Sequence, residues 1–154
     1  MQTNNRRTRL ASMLVLASAL VLTSSTSDAA PVEAEPDPAA NMGDDDTYKL
    51  SVSNGSAKVG ETGTITVTVK AAEGYKCNGE YPNKVKNLVA TNGGRLAAES
   101  VAGRIDGKTL TFAIQVTPTK RGDSKVSGEA RFSVCNATGC AMKKVAINAK
   151  VTGT

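Results

Sequence analysis

Hydrophobic and polar residues alternate with a period of two along several short segments of this 154-residue chain. The alternation is clearest at 64–70 and 109–116, where every second residue is apolar. These apolar positions are Ile65, Val67, Val69, Leu110, Phe112, Ile114 and Val116. Because successive side chains of a β-strand point to opposite faces, this period predicts half-buried strands. No segment has the spacing of an amphipathic helix.

The same pattern predicts seven or so short strands with turn residues such as Asn-Gly and Asp-Gly between them. The predicted strands are 48–53, 64–70, 85–90, 96–101 and 109–116, followed by one strand on each side of the segment 135–140. Strands at this spacing favour an all-β fold, an antiparallel immunoglobulin-like β-sandwich of about seven to eight strands. A small barrel is the alternative, since period and spacing do not separate the two.

Residues 1–29 have the organisation of a secretory signal peptide. Three arginines precede an apolar run of 13 residues from Leu10 to Leu22, and Ser27-Asp28-Ala29 supplies small residues for cleavage after Ala29 or Ala30. The run is too short to span a bilayer, so we expect no transmembrane segment in the mature chain. A general secretory route fits better than a twin-arginine route, and both lead to a periplasmic or secreted location where paired thiols oxidise.

Residues 30–46 are predicted to form an acidic, proline-rich disordered tether. From Pro31 to Asp46 there are three prolines, six acidic residues and no basic one. Such a composition buries too little apolar surface to offset the entropy of ordering. The run Asp44-Asp45-Asp46 lacks the spacing of a calcium loop, and we expect it to be solvated.

The predicted domain, residues 47–154, is strongly basic. It carries 16 Lys and Arg residues against 7 Asp and Glu, a net charge of +9. This charge favours an anionic partner such as envelope material, a lipid surface or an acidic protein. It is also compatible with pairing to the acidic tether or with ordinary solvated strands. Nucleic acid is not expected, because the chain is predicted to be exported and has few aromatic side chains for base stacking.

The absence of histidine restricts the chemistry. Without it the chain lacks the usual Ser-His and Cys-His nucleophile pairs and the commonest metal ligand. Three cysteines without histidine or a Cys-x-x-Cys motif make a poor zinc site. We therefore predict no metal and no cofactor, which leaves thiol chemistry or binding.

Two cysteines flank a short turn in the segment Cys135-Asn136-Ala137-Thr138-Gly139-Cys140. Alternating strands on both sides and turn-forming residues between them predict a β-hairpin with the two thiols opposite each other. A disulfide there is geometrically easy, and because the loop is short it contributes only about 2 kcal/mol of stability. The pair is either a redox-active site or a staple in a domain that is poor in aromatic residues.

Cys77 remains unpaired if Cys135 bonds to Cys140. It is a buried small hydrophobe, an intermolecular link, or a third thiol that exchanges with the pair. Lys143 and Lys144 follow Cys140 closely. They are candidates to stabilise a thiolate there, and alternatively they protect the edge of a strand.

Two segments together resemble a known family. Gly74-Tyr75-Lys76-Cys77-Asn78-Gly79-Glu80-Tyr81-Pro82, followed about fifty residues later by Phe132-Ser133-Val134-Cys135 and Cys140, is similar to the N-terminal periplasmic domain of the DsbD thiol:disulfide interchange proteins. The resemblance covers residues 48–151. It implies an immunoglobulin-like fold whose cysteine pair passes electrons between thioredoxin-fold proteins and periplasmic substrates. Tyr81, in the supporting segment, is an accessory candidate.

The resemblance also implies a role for each cysteine. Cys140 corresponds to the thiol that forms a mixed disulfide with the partner, and Cys135 to its resolving mate. The predicted function is an exported thiol-disulfide exchange module, a relay without independent turnover, whose partner is a thioredoxin-fold protein. The alternative is a non-catalytic domain that binds anionic envelope material or serves a structural role, with the disulfide as a staple.

Overall fold

The computed structural model describes residues 43–154, which form strands and connecting turns without any helix. The strands are β1 (Gly43–Asp45), β2 (Tyr48–Ser53), β3 (Gly55–Ala57), β4 (Gly63–Ala71), β5 (Lys76–Cys77), β6 (Lys84–Ala90), β7 (Gly94–Leu96), β8 (Val101–Ala102), β9 (Arg104–Asp106), β10 (Thr109–Pro118), β11 (Gly122–Cys135) and β12 (Cys140–Gly153). Accordingly, no helix in this part of the chain is long and apolar enough to cross a membrane. The predicted signal peptide and residues 30–42 of the predicted tether lie outside the described residues.

The strands form two six-stranded sheets, which confirms the predicted β-sandwich. The first sheet has the order β1-β2-β4-β10-β7, with β9 also paired to β10. The second has the order β3-β12-β11-β6-β8, with β5 also paired to β11. All pairings are antiparallel except that between β3 and β12. The strand count exceeds the predicted seven to eight because half of the strands are only two or three residues long.

The core lies between the two sheets and is built from the alternating apolar positions. Every inward residue predicted on β4 and β10, from Ile65 to Val116, is at most 1% exposed. The second sheet contributes Phe132 and Val134 from β11 and Ile147 and Val151 from β12, all equally buried. Period-two alternation thus gives each of these strands one apolar face, and the two faces pack against each other.

The predicted strand 96–101 is wrong. Leu96 ends β7 and pairs with Val116 in the first sheet, whereas Val101 begins β8 and pairs with Val85 in the second. The residues between them cross from one sheet to the other. Both ends are apolar because each packs, partly buried, against the core from a different sheet, and this made them resemble the ends of one strand.

The last residues assigned to the tether are part of the fold. Gly43–Asp45 forms β1 and pairs with β2, with Asp45 opposite Tyr48. The structured domain therefore begins at least four residues before the predicted boundary at Thr47. Thr47 turns the chain between the two strands, where both its backbone N–H and its hydroxyl donate to the Asp45 carboxylate.

Candidate functional site

The long hairpin of β11 and β12 brings the two cysteines together. The strands stay in register along their whole length, and Cys135 pairs with Cys140 at the closed end with their Cα atoms 3.9 Å apart. The two sulfurs form a disulfide bond. Asn136 shapes the turn, since its Oδ1 accepts hydrogen bonds from the backbone N–H groups of Thr138 and Gly139.

Solvent reaches the two halves of the disulfide unequally. Cys135 is 6% exposed, whereas Cys140 is an exposed residue. Both side chains lie on the outer face of the second sheet, because Val134 on β11 points into the core and alternate residues point to opposite faces. The Cys140 half of the disulfide is therefore the more accessible to an incoming thiol.

A second segment of the chain covers Cys135. β5 pairs with the end of β11, so that Lys76 lies opposite Cys135 and Cys77 opposite Val134. Directly after β5, the Asn78 backbone N–H donates to the Ser133 carbonyl at 2.8 Å. The Asn78 side-chain amide points toward the Cys140 sulfur at 4.0 Å. The two segments that carry the family resemblance are thus neighbours in the structure.

Asn83 fixes this covering segment to β11. The residue is 8% exposed, and its side-chain amide donates to the carbonyls of Asn78 and Tyr81 at 2.7 and 3.0 Å. Its Oδ1 accepts the Ser133 backbone N–H at 3.1 Å. Asn83 was not among the predicted site residues, because nothing in its local sequence pattern indicates a partner fifty residues away.

Cys77 lies on the other side of the sheet from the disulfide. Residues directly opposite on paired strands point to the same face, and Val134, opposite Cys77, points into the core. Cys77 is a buried free thiol that donates to the Lys108 carbonyl at 3.4 Å, and its burial raises the pKa of the thiol. This placement agrees with the alternative in which Cys77 serves as a buried small hydrophobe. It argues against exchange of Cys77 with the Cys135–Cys140 disulfide.

We expect Cys77 to resist alkylation in the folded protein. A raised pKa and burial both reduce the thiolate fraction that reacts. The oxidised protein should react with iodoacetamide only after denaturation, whereas mild reduction should add one rapidly reacting thiol, that of exposed Cys140, with covered Cys135 reacting more slowly; mass spectrometry counts the labels. A Cys77→Ala variant is the control, and fast labelling of Cys77 in the native state would contradict this placement.

Lys143 is engaged away from the disulfide. It lies on the opposite face from Cys140, forms an ion pair with Asp45, and places its ammonium 5.6 Å from the centre of the Tyr48 ring. The Lys143 hydrogen bond is the main cause that lowers the pKa of Asp45 to about 2, with a further contribution from Thr47. The lysine thus links β12 of the second sheet to β1 and β2 of the first.

Lys144 lies on the same face as Cys140 but four positions along the strand. At about 3.3 Å per residue this separation is about 13 Å. Its ammonium is 3.3 Å from the Glu129 carboxylate, which also binds Arg131. Hydrogen bonding, first from Arg131 and then from Lys144, lowers the pKa of Glu129. The cation nearest to the disulfide in strand register is Lys76, an exposed residue that was not among the predicted site residues.

The other features of the described domain are not part of this site. Tyr81 is half-buried, and what it contributes is its backbone carbonyl, which accepts from Asn83. A surface depression of about 460 Å³, lined by Asn54, Lys125 and Lys150 among others, lies at the far end of β11 and β12. Within residues 43–154, no three His, Cys, Asp or Glu side chains are grouped so as to hold a metal ion.

These features define an all-β, immunoglobulin-like sandwich domain with a surface disulfide that joins paired strands. No protein-family model and no curated protein matches the chain. Among solved structures, it is similar to AggA, the major subunit of aggregative adherence fimbriae type I from Escherichia coli (13% identity, 72% of this chain, 97% of that chain, TM-score 0.40). It is also similar to the GAE domain of GGA2p from Saccharomyces cerevisiae (11%, 71%, 96%, TM-score 0.36). A third neighbour is an ASH/PapD-like domain of human CEP192 (12%, 73%, 90%, TM-score 0.32).

Proposed function

We propose that this protein is an exported thiol-disulfide exchange module whose Cys135–Cys140 pair reacts with a thioredoxin-fold partner. The observation that carries the proposal is the unequal access to the two sulfurs: Cys140 is exposed, while Cys135 is covered by β5 and the segment after it. Thiol-disulfide exchange depends on which sulfur is reached.

The position of the disulfide between β11 and β12 also favours attack on Cys140 over attack on Cys135. A thiolate displaces the far sulfur of a disulfide, so it approaches along the line of the S–S bond. The line through Cys140 leads out past β12, away from β11. The line through Cys135 leads to β5, where Lys76 and Asn78 lie. Attack on Cys135 is therefore obstructed by β5, whereas on the line through Cys140 no strand of residues 43–154 lies in the way and the Asn78 amide approaches that sulfur at 4.0 Å.

The exchange conserves electrons in two steps. A partner thiolate attacks the Cys140 sulfur, a mixed disulfide forms, and Cys135 leaves with the electron pair as a thiolate. The cation Lys76 beside Cys135 stabilises that leaving group. The partner's second thiolate then attacks its own sulfur in the mixed disulfide and releases Cys140. Two electrons have then passed from the partner dithiol to the domain, and the reverse sequence oxidises the domain.

The test combines a measurement of the reduction potential of the Cys135–Cys140 pair with a reaction that traps the mixed disulfide. Equilibration of the oxidised protein with glutathione should give a reduction potential above about −300 mV, the range of labile pairs. The Cys135→Ser variant, which keeps Cys140, should form a mixed disulfide with an oxidised thioredoxin-fold protein. The matched control is Cys140→Ser, which keeps only the covered Cys135 and should form little adduct. A potential below −300 mV and no adduct with either variant would refute the proposal.

The charge distribution supports a second candidate function, binding to anionic envelope material. The outer face of the second sheet carries a cationic row across three strands, Lys84, Arg131 and Lys144, in register with one another. The outer face of β4 and its neighbours consists largely of threonine and serine. If the reduction potential of the cysteine pair lies below about −300 mV, as in a structural disulfide, binding through this cationic face is the function that the domain supports best.

A further inference from the structure

β12 is an open edge of the second sheet over most of its length. β3 pairs with it only at 151–153, and no other strand of residues 43–154 lies on the side away from β11. The open part begins at Cys140, the exposed half of the disulfide. An open edge offers unpaired backbone groups to another chain.

The register identifies which backbone groups face outward. The Asn136 N–H donates to the Gly139 carbonyl, so this pair is bonded across the hairpin, and bonded and non-bonded pairs alternate from there. Lys150 confirms the alternation, because its N–H donates to the Asn54 side chain, outside the β11–β12 pairing. The residues whose N–H and C=O groups point to the open edge are Cys140, Met142, Lys144, Ala146 and Asn148.

The side chains along this edge are cationic and partly apolar. Beside the open edge, Lys144, Arg131 and Lys84 lie in register on the outer face, and Glu129 pairs with both Lys144 and Arg131, so a net positive charge remains there. Met142 is 74% exposed, and it shares a face with Cys140 two positions away. A second copy of this chain would bring like charges together across the new pairing, which is unfavourable. An acidic segment meets the opposite charge.

We propose that the open edge of β12 is the docking strand for an extended, acidic, cysteine-bearing segment of the redox partner. The segment adds to the sheet as a further strand, held by backbone hydrogen bonds, and its cysteine lies opposite Cys140. Directly opposite residues have Cβ atoms about 4.5–5.5 Å apart, so the incoming sulfur reaches Cys140 from the side away from Cys135. This inference rests on the proposed exchange function and specifies how its partner is recognised.

Binding is tested with a peptide that cannot react. The probe is a synthetic peptide in which Glu and Val alternate around one central serine, and fluorescence anisotropy measures its affinity for residues 30–154. Ala146→Pro removes one edge-facing N–H without touching the bonds to β11, and proline is tolerated on edges. We expect it to weaken binding about tenfold. The matched control, Ala146→Thr, keeps the N–H and should bind like the parent.

A second arm measures exchange. The same peptide with cysteine in place of serine should reduce the disulfide faster than glutathione does, and Ala146→Pro should remove this advantage while leaving the glutathione rate unchanged. Binding without exchange would refute the proposed function and leave the docking strand intact. Exchange at the glutathione rate without binding would refute the docking strand and leave the function intact.

Further outcomes would assign the edge to another occupant and overturn the proposal. If Ala146→Pro converts a dimer to a monomer in sedimentation, a second copy occupies the edge. If the peptide binds only after residues 30–42 are removed, the chain's own acidic segment occupies it. Two further peptides keep the proposal falsifiable whether or not Ala146→Pro folds. One has Lys in place of Glu, and the other is methylated on the backbone amides that would pair with β12. If either bound as tightly as the original peptide, the addition of an acidic strand would be refuted.

Discussion

Replacement of Phe132 by alanine is expected to lower the free energy of unfolding by about 3–5 kcal/mol. The ring is fully buried, and its centre lies 4.9 Å from that of Tyr48 in an edge-to-face contact. Because Phe132 belongs to the second sheet and Tyr48 to the first, truncation removes a contact that joins the two layers and leaves a cavity between them. A small domain has about 5–15 kcal/mol of stability in total, so this is a large fraction.

Urea unfolding followed by circular dichroism measures the loss, with the disulfide kept oxidised in every sample. The control is Arg131→Ala, at the preceding position on β11, where the side chain points outward and pairs with Glu129. A surface ion pair of this kind contributes at most about 1 kcal/mol. If Phe132→Ala cost no more than Arg131→Ala, the packing between the sheets described above would be wrong.

The period-two pattern was sufficient to predict the inward residues of the long strands. Burial on β4 and β10, and on β11 as far as Phe132, follows the alternation because these parts of the strands have one face in the core and one toward solvent. At Ser133 and Cys135 the outer face is buried as well. The hairpin turn was equally local, since Asn136 and Gly139 lie within the segment that they shape. Such features need no knowledge of distant partners.

The surroundings of the disulfide depend on distant pairing and were not predicted. Lys76 and Asn78 reach the site only because β5 pairs with β11, which follows it by about fifty residues. The position of Lys143 could have been predicted from the strand alone, because a residue three positions from Cys140 points to the opposite face. For the crossing at 96–101 no local signal distinguishes an apolar residue of one sheet from an apolar residue of the other.

Replacement of Asn83 by alanine is expected to destabilise the domain by about 2–4 kcal/mol and to expose Cys135. The substitution leaves the Ser133 N–H and the Asn78 carbonyl without their side-chain partner, and each unmade bond of this kind costs about 1–3 kcal/mol. The Tyr81 carbonyl loses the side-chain bond but keeps the bond from the Asn83 backbone N–H. The covering segment is then held to β11 by fewer bonds. Attack on Cys135 is no longer obstructed, and the preference for Cys140 should diminish.

Brief reaction with glutathione, acid quenching and peptide mass spectrometry give the ratio of adducts on the two cysteines. In a Cys77→Ala background the parent should carry the adduct mainly on Cys140, and Asn83→Ala should carry it on both. Asn148→Ala, an exposed asparagine on β12, is the control and should change neither the ratio nor the stability. An unchanged ratio in a folded Asn83→Ala protein would mean that the covering segment does not direct the attack, and the polarity of the pair would need another cause.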